Sequence, residues 1–321
     1  MAKRSVKFHL PGLRYNFPLN MIFLMLIDQY PQFFMDGLEI GSFYGEFPCS
    51  LWNGGRVSLD DQCDALFVRN VIRDANAAGI PIRYTYTNPL ITEADLADKY
   101  CNFCMHEADN GKNQVLVVSP VLEEYIRKTY PKFTICSSTC KEIRNLDKLN
   151  AELKKDYGLV VLDYNFNNKF DILRGIEPKD KVEVLINPCC EPECRRRGQH
   201  YKYLATQQRT ELENRKLPPN MRKPIQKWEC KFEHLPTLYS IAGFPTFISR
   251  DKLWNVYVPM GYSNFKIEGR TSNMLSVMDT YCYYMAKPEH RDAVRMLCLL
   301  NLENRHIITV NKPRRGTFDG N

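Results

Sequence analysis

Cysteines are the residues here best suited to chemistry, and the 321-residue chain has twelve. Their densest group is Cys189-Cys190-Glu191-Pro192-Glu193-Cys194, followed at once by Arg195-Arg196-Arg197. Cys190 and Cys194 lie four apart around Pro192, so a loop can turn both thiolates toward one centre. Soft thiolates bind zinc or iron–sulfur clusters, and neighbouring arginines favour the thiolate form. Either site normally takes four ligands. Cys230 lies in the same stretch and is the third candidate. Cys49, in Gly45-Glu46-Phe47-Pro48-Cys49-Ser50, is the fourth. An unliganded pair of loop thiols is the plainer alternative, and the choice between Cys189 and Cys190 is open.

The remaining cysteines read mostly as packing. Cys101 and Cys104 share one face of a helical pattern and fit buried thiols better than a redox pair. Cys136 and Cys140 follow a strand and could face a site, with packing the plainer reading. Cys63, Cys282 and Cys298 read as small core hydrophobes.

Other side chains could act beside such a centre. Glu268 and Arg270 are two apart on a strand and share a face. Glu268 is a candidate general base, with Arg270 binding an anion; a structural ion pair is the alternative. His200 is a candidate proton carrier. Asn53-Gly54-Gly55-Arg56 makes a turn whose glycines allow close backbone approach to a ligand, so Asn53 and Arg56 are candidate substrate contacts. The net charge is +7. From Arg195 to Lys231 eleven Lys/Arg face three Asp/Glu, so this stretch carries the whole excess. Arg195, Arg196 and Arg197, interleaved with His200, Tyr201 and Tyr203, suit phosphates and stacked bases. The expected partner is RNA or a small anion.

The elements that must position these residues alternate. Nearly continuous apolar runs at Val6–Leu10, Gly37–Ser42, Ile82–Tyr86, Gln114–Val118, Phe133–Ser137, Gly158–Leu162 and Val182–Ile186 predict strands buried on both faces. Helical patterns fall between them at Phe17–Tyr30, Gln62–Ala78, Glu93–Glu107, Val121–Lys128 and Leu146–Lys155. An eighth strand fits Asn264–Glu268, with a helix from Ser272 to about Met285. Eight units predict an α/β fold, a (β/α)8 TIM-type barrel. An open doubly wound sheet would want a glycine-rich phosphate loop, and Pro11-Gly12-Leu13-Arg14 is not one.

The expected organisation is one domain. Residues 1–194 form seven units, 195–262 a basic, proline-containing excursion over the barrel mouth, and 263–321 the last unit and a tail. Composition is globular, at 44% hydrophobic and 25% charged. The longest apolar run, Met21 to Ile27, is far too short to cross a membrane. With no secretory segment at the N-terminus, the expected location is the cytoplasm. There is no G-x-S-x-G, H-E-x-x-H or Walker loop.

Two islands carry a resemblance. Phe265-Lys266-Ile267-Glu268-Gly269-Arg270 resembles the strand-8 signature of the U32 peptidase-like family, and Gly45-Glu46-x-x-Cys49-Ser50 resembles the strand-2 loop of its ubiquinone-biosynthesis accessory branch. The C-x-x-x-C near strand 7 sits where that family places cluster cysteines. The resemblance implies a barrel with a 4Fe–4S cluster on Cys49, Cys190, Cys194 and Cys230. It also implies oxygen-independent hydroxylation or related redox chemistry, although members are called peptidases. The chain departs from the pattern in its doubled Cys189-Cys190 and its Trp52-to-Arg56 loop. A zinc-stapled (Zn2+) or metal-free binding protein without turnover is the rival reading.

Overall fold

The computed structural model describes residues 5–230, 238–269 and 273–309. Eight strands, β1 (Val6–Pro11), β2 (Leu38–Gly45), β3 (Ile82–Tyr86), β4 (Gln114–Val117), β5 (Thr134–Ser137), β6 (Val160–Val161), β7 (Val182–Leu185) and β8 (Asn264–Lys266), pair in parallel and close into a barrel. This is the expected (β/α)8 architecture. Its crossovers are α1 (Phe17–Gln29), α2 (Ala65–Ala77), α3 (Lys99–Ala108), α4 (Pro120–Thr129), α5 (Leu146–Leu153) and α6 (Phe170–Arg174). No helix among the described residues is long and apolar enough to cross a membrane.

Local chemistry explains most boundaries. Asp64 caps α2 by accepting from the Phe67 N–H at 2.7 Å. Thr92 opens a capping box with Asp95, as its type predicts, but only a 3-10 turn follows, Glu93–Ala97. Asp98 then caps a fresh start by accepting from the Cys101 N–H at 2.8 Å, so the single helix expected over Glu93–Glu107 is two pieces.

The long connection between β7 and β8 holds a helix that apolar periodicity does not reveal, α7 (Arg197–Asn214). After a 3-10 turn at Pro219–Met221 come α8 (Leu238–Ile241) and then α9 (Arg250–Lys252) and α10 (Val258–Met260), which a π-helical stretch, Leu253–Tyr257, joins into one run. After β8 come α11 (Met274–Met285) and α12 (Arg291–Asn304), the latter also unforeseen. Cys282 and Cys298 are fully buried there, and Cys101 and Cys104 are fully buried on α3, as their patterns predict.

Strand alternation sends every second side chain into the barrel. One half of the interior is apolar, with Leu116, Cys136 and Val161 packed together. The other half is charged. Arg83 of β3 pairs with Glu183 of β7 directly across the barrel. The Arg83 guanidinium donates from Nε to Gln114 at 2.7 Å and from Nη2 to His9 Nδ1 at 3.1 Å. His9 Nδ1 therefore accepts, which places the ring proton on Nε2, 3.4 Å from Asn264 Oδ1 and 3.4 Å from Glu183 Oε2. Burial drives the His9 pKa down to about 3, so the ring is neutral. For Glu183, burial pushes upward, but Arg83, His9 and Lys266 outweigh it and hold the carboxyl at about 2.

Candidate functional site

The C-terminal ends of the strands open on a cavity of about 80 Å³, room for a handful of non-hydrogen atoms. Its floor includes Lys266 of β8, whose ammonium lies 3.9 Å over the Tyr44 ring and 3.6 Å from Glu183 Oε1. Its wall includes Glu268, two residues further on and therefore facing the same way. The Cys189 N–H donates to Glu268 Oε2 at 2.9 Å, and Asn187 Oδ1 accepts from the Glu268 N–H at 2.7 Å. The loop after β7 thus fixes the carboxylate in place.

Arg56 reaches the cavity because of its turn. Asn53 Oδ1 accepts from the N–H groups of Gly55 at 2.8 Å and Arg56 at 3.1 Å. Gly54 and Gly55 are both left-handed, with φ of 79° and 81°. A Cβ on Gly55 would stand 2.2 Å from the Leu204 carbonyl oxygen of α7, so only glycine allows this approach. The Arg56 guanidinium then lies 4.3 Å over the Tyr201 ring, and its Nη2 makes no hydrogen bond. Two hydroxyls lining the same cavity are also unpaired: Thr139 Oγ1 and the Tyr164 OH. Buried polar atoms normally find a partner. Three unmatched donors around one small cavity are the marks of a site built for a ligand rich in oxygen atoms.

Of the residues singled out in the sequence, Glu268, Arg56, Cys190, Cys140 and Tyr201 line this cavity. Asn53 does not; it shapes the turn that delivers Arg56. Arg197 is also not a substrate contact. It is buried, ion-paired with Asp163, lies 3.4 Å from Glu142, and covers the Tyr164 ring at 4.4 Å. His200 lies outside the cavity, stacked on Trp228 at 4.9 Å with 6° between the planes. Arg196 covers the same indole at 4.4 Å. Arg195 is exposed on the rim, and Arg270 lies outside the described residues. Part of the basic excess is paired within the chain: Arg209 with Asp95 at 2.6 Å and, at the surface, Arg215 with Asp60 at 2.7 Å.

The four expected cysteine ligands are not gathered into one group among the described residues. Cys49 has φ of 73°, and its thiol donates to the Leu59 carbonyl at 2.6 Å. Its charged neighbours are Arg215, Asp60 and Asp61. Cys194 lies beside Cys190 on the rim, where its carbonyl accepts from Arg144 at 2.8 Å. Cys230 is half-buried beyond Trp228. Cys189 is packed against the core, and burial pushes its thiol well above the usual range. Among the described residues, no three histidines, cysteines or carboxylates come together in a way that could hold a metal.

Sequence reasoning passed over Lys266, Tyr164 and Thr139; it allowed that Cys140 could face the mouth but favoured packing, and Cys140 does line the cavity. Lys266 carried a usable signal, since the alternation that pairs Glu268 with Arg270 includes it. Tyr164 and Thr139 sit in short turns after β6 and β5, where no periodicity tells which way a side chain points.

No family model matches this sequence, and no curated protein matches it. Among solved structures, the fold is similar to "The Structure of the U32 Peptidase Mk0906", at 12% identity and a TM-score of 0.43, over 83% of this chain and 93% of that one. It is also similar to the spore cortex-lytic enzyme SleL of Bacillus cereus, at 10% identity and a TM-score of 0.37, over 97% of this chain and 76% of that one. The first is a distant structural likeness to the family that the sequence islands resemble.

Proposed function

We propose that the barrel mouth binds a small anionic substrate and acts on it. Arg56 is the anchor for the anionic group, the Thr139 and Tyr164 hydroxyls donate to its oxygens, and Glu268 accepts a proton. The observation that carries this reading is the convergence of the three unpaired donors on one cavity. Lys266 adds a second cation at the floor, tempered by Glu183. A guanidinium is suited to carboxylate and phosphate because its planar fork donates twice. Volume favours a compact group over a nucleic-acid strand, and the buried pairing of Arg197 and the part-buried pairing of Arg209 point the same way. If the chain carries out the hydroxylation implied by the U32 resemblance, these residues would bind and orient its substrate.

Thermal melting with inorganic phosphate, sulfate or malonate, against chloride at equal ionic strength, tests the reading. At least one of these anions should raise the melting temperature of the wild type, as any ligand selective for the native state does. Arg56→Gln should abolish that rise while remaining folded in chloride. No rise with any of the three, or an equal rise in Arg56→Gln, would overturn the proposal.

A further inference from the structure

Two thiols line the mouth cavity, Cys140 from the turn after β5 and Cys190 from the loop after β7. They are not equivalent. Burial pushes the Cys190 thiol up to about 11, and the nearby Tyr164 hydroxyl and Arg197 offset only part of this. Cys140 is partly buried, as Cys190 is, so what separates them is the cation beside each sulfur. Cys140 lies beside the Arg56 guanidinium, and Tyr201 lies beside both. A fixed cation at a sulfur favours the thiolate, the nucleophilic form. The Cys140 N–H donates to Ser138 Oγ at 3.1 Å, which holds the turn that carries it. A second observation points to a ligand at this spot. Tyr164 is only 2% exposed, and its hydroxyl, lining the same cavity, makes no hydrogen bond.

From this arrangement we propose that Cys140 is a nucleophile, reacting with small electrophiles whose acidic group is seated on Arg56. The proposal rests on the anion-binding reading of the mouth. The thiol proton leaves to solvent, and the sulfur lone pair attacks the electrophilic carbon. A sulfur–carbon bond forms as the bond from that carbon to its leaving group breaks, and the leaving group departs with the electron pair. No oxidant or reductant is needed.

Iodoacetate is a suitable probe, since it joins a carboxylate to an electrophilic carbon and loses iodide; iodoacetamide is its neutral counterpart. The intact chain is treated with each, and the modified residue is located by peptide mass mapping. Cys140 should be the first cysteine alkylated by iodoacetate. Its rate should saturate with iodoacetate concentration and fall when inorganic phosphate is added. The iodoacetate-to-iodoacetamide rate ratio should drop at least tenfold in Arg56→Gln, or in Arg56→Lys if the glutamine variant does not fold. The fast modification should disappear in Cys140→Ser. First labelling at Cys190 or another thiol, or a rate that stays linear with an unchanged ratio in the arginine variant, would overturn the proposal. The wild-type melting shift with phosphate needs no thiol. If that shift is present and labelling fails, the nucleophile alone is lost; if the shift is absent, the anion site falls with it.

Discussion

Arg83 of β3 and Glu183 of β7 meet as an ion pair across the inside of the barrel, with both side chains fully buried. Removing two charges from water costs free energy that their attraction barely repays, so such a pair is weak evidence of stability. Its position is more informative. Glu183 also faces Lys266 at 3.6 Å, and Lys266 forms part of the mouth floor. The buried carboxylate therefore fixes a cation at the base of the cavity. Arg83 and neutral His9 in turn meet the carboxylate's other oxygen, Oε2, from below.

This network predicts how the fold responds to acid. The His9 pKa falls from 6.5 to about 3 on folding, so below 6.5 the unfolded chain takes up a proton that the folded chain refuses. Glu183 falls from 4.5 to about 2, and its stabilising contribution is present above 4.5 and lost as pH drops toward 2. The two signs agree: stability falls with acid, first through His9 and then through Glu183. One proton is worth at most about 1.4 kcal/mol per pH unit. The groups facing His9 are Glu183, Arg83 and Lys266, and Glu183, held at about 2, and Arg83, raised above its ordinary value, keep their charges between pH 6.5 and 5. Denaturant melts of wild type and His9→Gln over that range should show a shallower acid slope in the variant. Equal slopes would mean that His9 is not held neutral.

The barrel was legible because its strands are buried on both faces, which leaves near-continuous runs such as Ile82 to Tyr86. Even Arg83, at the inward position of that run, obeys the alternation. The α7 helix was not legible. Its side chains are polar on every face, and tertiary bonds hold it, such as Gln208 to the Ser50 carbonyl at 3.0 Å. The prolines that made its region read as irregular all come after it. Glu268, Arg56 and Cys190 could be placed at the mouth because each follows or ends a strand at a known rim. Cys49 could not be oriented, since its left-handed backbone turns the thiol away in a manner no spacing rule foresees.

The contact between Gly55 and α7 gives a second test. Gly55→Ala places a methyl group 2.2 Å from a backbone oxygen in a left-handed turn, whereas at left-handed Gly79 nothing lies within 4 Å. The backbone cost alone is about 1–2 kcal/mol at either position. Gly55→Ala should lower the melting temperature clearly further than Gly79→Ala. It should also expose α7 to limited proteolysis and weaken the phosphate-dependent rise in melting temperature, because Arg56 is the next residue. Matching losses in the two variants would show that α7 does not press on the turn.

The cysteines allow the sharpest distinction between residue type and geometry. A cluster built on Cys49, Cys190, Cys194 and Cys230 would need those sulfurs to share a centre. In the described fold the Cys49 thiol is bonded to the Leu59 carbonyl, and Cys190 opens into the mouth beside Tyr164. Joining them in one centre would first break the bond from the Cys49 thiol to the Leu59 carbonyl. Anaerobic purification followed by iron and acid-labile sulfide quantification should therefore give well under one cluster per chain. Cys49→Ala should leave that content unchanged. A stoichiometric cluster lost in Cys49→Ala would show that the loop after β2 adopts another conformation around the metal, and would return the mouth to redox chemistry.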